Sequence, residues 1–338
     1  MREAFLYEKL NGKLVHCYLC AHECTIKENK FGFCGVRENS GGILYTYAYG
    51  NAVAVNVDPI EKKPLYHFLP GSKSFSIAAA GCNFKCVFCQ NWEISQKQFG
   101  SSSSLKEDEY SPQELVDEAL SNGCGSLSYT YTEPTIFFEY AYDTAKLAKA
   151  CNLRNIFVTN GYMTKDCLKE ISPYLDAANV DLKFFKEASY KKFCSASLAP
   201  VLNSIKLMKD LGIWVEVTTL IIPGVNDSED ELSDIAHFIL SVDKNIPWHV
   251  LRFHPDYKFN SCPPTPEVTL KKAQAIGTGI GLKFVYAGNV FGWGNDTFCP
   301  VCQKLLIKRD AFRVLEYNIK EECCIFCHNN IPGVFLNY

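Results

Sequence analysis

GCNFKCVFC, residues 81–89, puts three cysteines, Cys82, Cys86 and Cys89, within nine residues at the spacing C-x3-C-x2-C. The run before it, SFSIAAA (74–80), has the length and composition of a buried strand, so the thiols lie on the loop at that strand's carboxyl end. Runs of the same kind return at 125–131, 154–160, 177–183, 214–222 and 249–254, with 282–288 as a seventh. Helical segments stand between them. SPQELVDEALSNG (111–123) offers Ser111 as N-cap, Pro112 at the first helical position, Glu114 to close a capping box and Gly123 past the end. Residues 133–151, 198–212, 227–242 and 266–277 carry apolar side chains at helical spacing. The alternation predicts an α/β fold whose parallel strands close partly or completely into a (β/α) barrel. Ligand chemistry in such a sheet sits at the carboxyl ends of the strands, where Cys82 to Cys89, Glu133, Asn160, Asp181, Lys183 and His254 all fall.

Three thiolates are one short of a structural zinc site, and no fourth ligand lies close by in sequence. Two readings follow. A cubane iron–sulfur cluster on three thiolates leaves one iron open to a small molecule, whereas a zinc ion needs a distant fourth ligand. At 338 residues, 47% hydrophobic and 21% charged, the chain has room for one large core and smaller modules. Its net charge of −3 gives no general pull towards nucleic acid or anionic lipid. The start, MREAFLYEKLNGKLVHC, has no apolar signal region, and runs such as TTLIIPGV fall far short of the ~20 residues that span a bilayer. The expectation is a cytoplasmic protein with no membrane partner.

The seventeen cysteines cluster, unlike those of a secreted disulfide framework. Cys17, Cys20, Cys24 and Cys34 (C-x2-C-x3-C-x9-C), with His22 as a substitute ligand, fit a zinc site, an auxiliary iron–sulfur cluster or four free thiols. Cys299, Cys302, Cys324 and Cys327 form two C-x2-C knuckles twenty-one residues apart, the template of a zinc ribbon or rubredoxin-like module holding zinc or, second, a single iron. Gln303 and His328 stand where such knuckles commonly have glycine, and Cys323 is a competing thiol. Cys124, Cys151, Cys167, Cys194 and Cys262 read as isolated free cysteines. DPIEKKPLYHF (58–68) reads as a solvated charge pair before the first strand, with Lys62, Lys63 and His67 facing a substrate as the alternative; SSSSLKEDEY (101–110) reads as a lid. The organisation is then a Cys-rich segment (1–70), a barrel (71–288) and the ribbon module (289–338).

The cysteine loop, with Phe88 before its third cysteine and small Gly81 before its first, resembles that of radical S-adenosylmethionine (SAM) enzymes. CYLCAHECTIKENKFGFCGVREN (17–39), VDPIEKKPLYHFLPGS (57–72), GCNFKCVFCQNWEIS (81–95), YTYTEPTIFFEY (129–140), VTNGY (158–162), VDLKFF (180–185), IIPGVNDS (221–228) and FHPDYK (253–258) together resemble the radical enzyme of the AmmeMemoRadiSam system, a relative of the activating enzymes of pyruvate formate-lyase and other glycyl-radical enzymes. The resemblance implies a [4Fe–4S] cluster on Cys82, Cys86 and Cys89 with SAM chelated at the open iron. It implies cofactor contacts from Phe88, from Glu133 with Thr132 in place of a usual glycine, from Asn160 of a TNG element, from Asp181 and Lys183 of a DLK element, and from His254 as the late histidine beside the adenosine. Each also has an ordinary reading: a strand-end ion pair, a helix start, a rim histidine. The implied chemistry is one-electron cleavage of SAM, driven by an external ferredoxin- or flavodoxin-like reductant, to a 5′-deoxyadenosyl radical that takes hydrogen from an unidentified small-molecule or protein substrate. No acid–base or nucleophilic residue is needed and none is assigned. The alternatives are a glycyl-radical activase acting on a partner protein and a non-catalytic iron–sulfur or zinc adaptor.

Overall fold

The computed structural model describes residues 1–97 and 108–335; residues 101–107 of the expected lid lie outside the described residues. One eight-stranded sheet organises the chain: β1 (Ala54–Pro59), β2 (Lys73–Ala78), β3 (Ser126–Tyr129), β4 (Arg154–Thr159), β5 (Ala177–Asp181), β6 (Trp214–Ile221), β7 (Trp248–Arg252) and β8 (Val285–Gly288) follow each other in space as in sequence. Strands β2 to β8 are parallel, and β1 pairs antiparallel with β2. All seven apolar runs are strands of this sheet. The ladder stops at β1 and β8, each paired on one side only among the described residues, so of the partial or complete barrel expected the complete form is not shown.

The inner strands are buried on both faces, which is why they read as continuous apolar runs. Helices α1 (Pro112–Ser121), α2 (Phe138–Ala150), α3 (Lys165–Ile171), α4 (Glu187–Cys194), α5 (Leu198–Asp210), α6 (Glu229–Val242) and α7 (Glu267–Ile280) make the crossovers. The α1 capping box forms as expected: Glu114 N–H donates to Ser111 Oγ at 3.2 Å, and Ser111 N–H to Glu114 Oε2 at 2.7 Å. α3 and α4 escape the sequence reading because seven or eight residues give too few turns for a period to show.

Residues before β1 build two small antiparallel sheets, pinned to α2 by the buried Arg37–Glu139 ion pair. The ribbon does not stand alone. Cys299, Leu306, Ile307, Ile319, Cys324 and Ile331 share one core with Tyr66, between β1 and β2, and with Phe284 and Tyr286 at β8. It also meets the open end at β8, where Ala287 N–H donates to Gly294 O at 2.8 Å, and residues 313–317 line one cleft with Val57, Asp58 and Pro59 of β1. A partner on the β8 edge removes a template for unwanted strand pairing.

His67 sits in that interface, bonded to Pro332 O at 2.8 Å and to Tyr286 Oη at 2.6 Å. Burial holds its pKa down to about 4, from an ordinary 6.5. Because the folded value is the lower one, the folded chain binds less proton between the two. Its stability is therefore full above the unfolded pKa and falls as pH drops through the window, by about 3 kcal/mol. His67→Gln is expected to flatten this part of the pH dependence of urea unfolding; an unchanged slope would remove His67 as its source.

Candidate active site

The cysteine loop leaves β2 through Gly81, at φ 99°, a left-handed conformation that favours glycine. A Cβ there would also lie 2.7 Å from Val36 Cγ1 and 3.0 Å from Cys34 O. Backbone bonds fix the rest of the loop: Gly81 N–H donates to Ile94 O (2.9 Å), Lys85 N–H to Cys194 O (2.8 Å) and Val87 N–H to Phe193 O (3.0 Å). Cys86 Sγ lies 3.5 Å from Cys194 Sγ, and Cys89 Sγ lies 3.2 Å from Ser95 Oγ. Cys194, read from sequence as an isolated thiol, thus stands against the loop. Hydrogen bonding to Cys194, with burial, holds the Cys86 thiol well above its ordinary pKa; burial and the Glu133 charge do the same for Cys82.

All three loop cysteines open into one cavity of about 550 Å³, within the range of ligand pockets. Its walls include Phe88, Thr132, Glu133, Asn160, Asp181 and Lys183. Asn179 and Asp181, Thr218 and Leu220, and His249 and Leu251 line it from alternate positions of β5, β6 and β7, as the two-residue period of a strand requires. Lys183 Nζ is 2.7 Å from Asp181 Oδ2; burial lowers its pKa, but the charge and hydrogen bond of Asp181 help raise it well above its ordinary value. Asn160 Nδ2 donates to Asn83 Oδ1 at 2.7 Å, tying the end of β4 to the cysteine loop.

Glu133 is 1% exposed and accepts from Thr135 N–H (3.1 Å), Thr135 Oγ1 (2.5 Å), Thr159 Oγ1 (2.7 Å) and Asn160 N–H (2.8 Å). Its carboxylate therefore ties strand ends together while forming part of the wall. Thr132 Oγ1 donates to Ala79 O at 2.7 Å. His254 is exposed and outside the cavity lining, on the segment whose Lys258 N–H donates to Val87 O at 3.0 Å.

The solvated reading of residues 58–68 is corrected by burial. Lys63 is 1% exposed, lines the cavity and pairs with Asp58 at 2.6 Å; burial outweighs this pair and holds its pKa down to about 8. The Asp58 carboxylate also accepts from Lys62 and from Tyr131 Oη, whose ring lies under Lys63 Nζ. His67 is buried away from the cavity. Sequence reasoning passed over Thr218, Asn83 and His249. The signal available was a polar residue at alternate positions of an apolar strand, Glu216 and Thr218 in WVEVTTLI.

At the tail, the Sγ atoms of Cys299, Cys302, Cys324 and Cys327 all lie within 4.8 Å of one another. The Cys299–Cys327 and Cys302–Cys324 separations of 3.6 and 3.7 Å match the edge of about 3.8 Å set by a tetrahedron of thiolates on one ion. Gln303 and His328 adopt φ 59° and 58°, the conformation that glycine commonly supplies. Their N–H groups donate to Cys299 O at 3.0 Å and Cys324 O at 2.9 Å, so the two knuckles have the same turn. Cys324, not Cys323, joins the four.

Residues 76–239 match the family model of the radical SAM superfamily. Over 338 residues, 99% of this chain and 100% of the other, the sequence is 45% identical to an uncharacterized protein of Methanocaldococcus jannaschii. The pyruvate formate-lyase-activating enzyme of Clostridium pasteurianum is 22% identical over 192 residues, 53% of this chain and 77% of that one. The crystal structure of a radical SAM methyltransferase from Sphaerobacter thermophilus is similar in fold, with a TM-score of 0.51 and 12% identity over 66% of this chain and 68% of that one. The chain belongs to the radical SAM superfamily. No helix among the described residues is long and apolar enough to cross a membrane.

Proposed function

We propose that this protein is a cytoplasmic radical SAM enzyme, the radical component of an AmmeMemoRadiSam-type system, acting on a substrate not yet identified. One observation carries the reading: the C-x3-C-x2-C thiols share a single cavity with the acid, lysine and asparagine at the ends of β4 and β5. The donor set fits the group, since three thiolates of this spacing suit a cubane with an open iron. Two buried polar atoms in or beside the wall, Thr218 Oγ1 and Asn83 Nδ2, have no hydrogen-bond partner among the described residues and suit a polar ligand. When bound, the cluster supplies the electron that cleaves SAM to methionine and a 5′-deoxyadenosyl radical.

The residues around it bind, orient and exclude water. Cys82, Cys86 and Cys89 hold the cluster. Asp181, Lys183, Asn160 and Thr132 present polar atoms to the cofactor, with Glu133 fixing the strand ends. Phe88, 3% exposed, and Leu220 supply apolar wall, which shields a radical from solvent. His254 would meet the adenosine from the rim, and an external one-electron donor would serve as reductant. Zinc in the tail would be structural, because the separations above are those of a closed four-thiolate site.

Asp181→Ala is expected to leave the iron content unchanged and to weaken SAM binding about tenfold or more, the worth of one charged hydrogen bond. His254→Ala, on the exposed rim, should weaken it less. Titration of SAM into the reduced protein, followed by the cluster's electron paramagnetic resonance (EPR) spectrum, measures both. Equal affinity in Asp181→Ala and the parent chain would reduce Asp181 to a structural ion pair.

A further inference from the structure

We propose that Cys17, Cys20, Cys24 and Cys34 hold a second iron–sulfur cluster, placed to pass electrons into the one on Cys82, Cys86 and Cys89. The role of the second cluster rests on the radical SAM reading; its existence does not.

The fold brings these four thiols together from a span of eighteen residues. Strands Val15–Cys17 and Cys24–Ile26 pair antiparallel with Cys17 directly opposite Cys24. Cys20 lies in the turn between them, where Glu23, at φ 44°, donates its N–H to Cys20 O at 3.0 Å. Cys34 lies in the turn ahead of Arg37–Ser40, whose Gly32 would place a Cβ 3.9 Å from Cys24 Sγ. All four are free thiols, Cys17 and Cys34 buried and Cys20 and Cys24 partly buried.

The two quartets differ in how tightly their thiols are shown to draw together. Among the described residues the tail quartet converges within the span of a single ion, and no such convergence is found for the N-terminal four. A cluster carries its thiolates on outward corners and so accepts a wider set, whereas four thiolates on one zinc must close to a small tetrahedron. Arg37 adds an independent sign. It is 1% exposed, its Nη1 donates to Cys17 Sγ at 3.4 Å, and its Nε has no partner among the described residues. A buried donor without an acceptor is costly; the sulfides of a cluster are acceptors, and such bonds tune its potential.

The two sites touch on either side of Cys82. Cys34 O is 3.0 Å from where a Cβ on Gly81 would lie, and His22 Nε2 is 2.7 Å from Asn83 O. Each contact thus falls on a residue next to Cys82 in the chain, a ligand of the first cluster. Cys20 and Cys24 are partly exposed and Phe33 is exposed, which leaves part of this site open to a donor protein. The electron count is simple. A reduced donor of the ferredoxin or flavodoxin class loses one electron, the N-terminal cluster takes it and returns to its oxidised state on passing it inward, and one electron is consumed per SAM cleaved. No proton moves.

The test begins with the Cys82→Ala/Cys86→Ala/Cys89→Ala chain, reconstituted anaerobically with iron and sulfide. It should keep one cluster per chain, with iron and acid-labile sulfide in equal amounts and, on reduction, an EPR signal that SAM does not perturb. Zinc without sulfide, or iron without sulfide, would overturn the proposal. The Cys20→Ser/Cys24→Ser chain should lose this cluster only; circular dichroism like the parent's and a retained SAM-sensitive signal show that it has folded. In the fully reduced parent the two spins should split each other, and in the Cys20→Ser/Cys24→Ser chain reduction of the first cluster by reduced flavodoxin should slow by about tenfold or more. Two unsplit signals, or an unchanged rate, would overturn the relay. If the radical reading is what fails, the SAM-sensitive signal is missing while the N-terminal cluster remains.

Discussion

Cys86→Ala is expected to reduce SAM cleavage to background and to remove the broad iron–sulfur absorption at ~400 nm, because it takes away one of three protein ligands. The loop itself should survive. Its backbone is held by the bonds from Gly81, Lys85 and Val87, none of which uses the Cys86 side chain. Cys86 is buried at 7% exposure, so the change leaves a small void and a modest loss of stability, distinct from the complete loss of the cluster. Cys194 makes the test sharper, since its sulfur lies 3.5 Å from that of Cys86 and could stand in as a ligand. A residual cluster in Cys86→Ala that disappears in Cys86→Ala/Cys194→Ala would identify that substitution. Cleavage retained in the double variant would overturn the assignment of the loop as the radical centre.

What the sequence disclosed and what it hid divide along a physical line. Strands β2 to β8 were legible because buried parallel strands are rich in apolar and β-branched residues, and the C-x3-C-x2-C loop because ligand spacing is local. β1 was hidden: Val57 is 41% exposed, and AVNVDP has neither an apolar run nor a clean alternation. Lys63 was misjudged because a sequence shows two adjacent lysines and an aspartate but not that Tyr131, seventy residues on, closes over them. Long-range neighbours of this kind, including Cys194 against Cys86 and Cys34 against Gly81, have no signature in local spacing. His254 fell at a strand end as expected, yet a strand end has a rim as well as an interior.

Arg309→Ala is expected to destabilise the chain by about 3–5 kcal/mol, the effect of removing one partner from a buried ion pair. Arg309 is the bolt between ribbon and barrel. Its Nη1 donates to Asn295 O (3.0 Å) and Thr297 Oγ1 (2.8 Å), its Nη2 donates to Tyr66 O (2.8 Å), and its guanidinium lies 4.3 Å from the Tyr66 ring centroid. Its Nε is 3.6 Å from Glu61 Oε1, and both side chains are fully buried. Burial already raises the Glu61 pKa against the opposing pull of Arg309, so alanine would leave an acid that can stay in place only by taking up a proton. Arg309→Met/Glu61→Gln, which removes both charges and keeps most of the volume, should recover part of the loss. Urea unfolding of the metal-loaded chain measures the difference, and a loss below about 1 kcal/mol for Arg309→Ala would show that the pair does not hold the interface. The effect should reach the cavity. Phe312, at the turn between Leu305–Asp310 and Arg313–Tyr317, lines it together with Tyr66, so a ribbon that comes loose withdraws part of the wall around the cofactor site. Weaker SAM binding in Arg309→Ala, with the tail metal retained and Cys82, Cys86 and Cys89 still carrying their cluster, would assign the ribbon a share in closing the site.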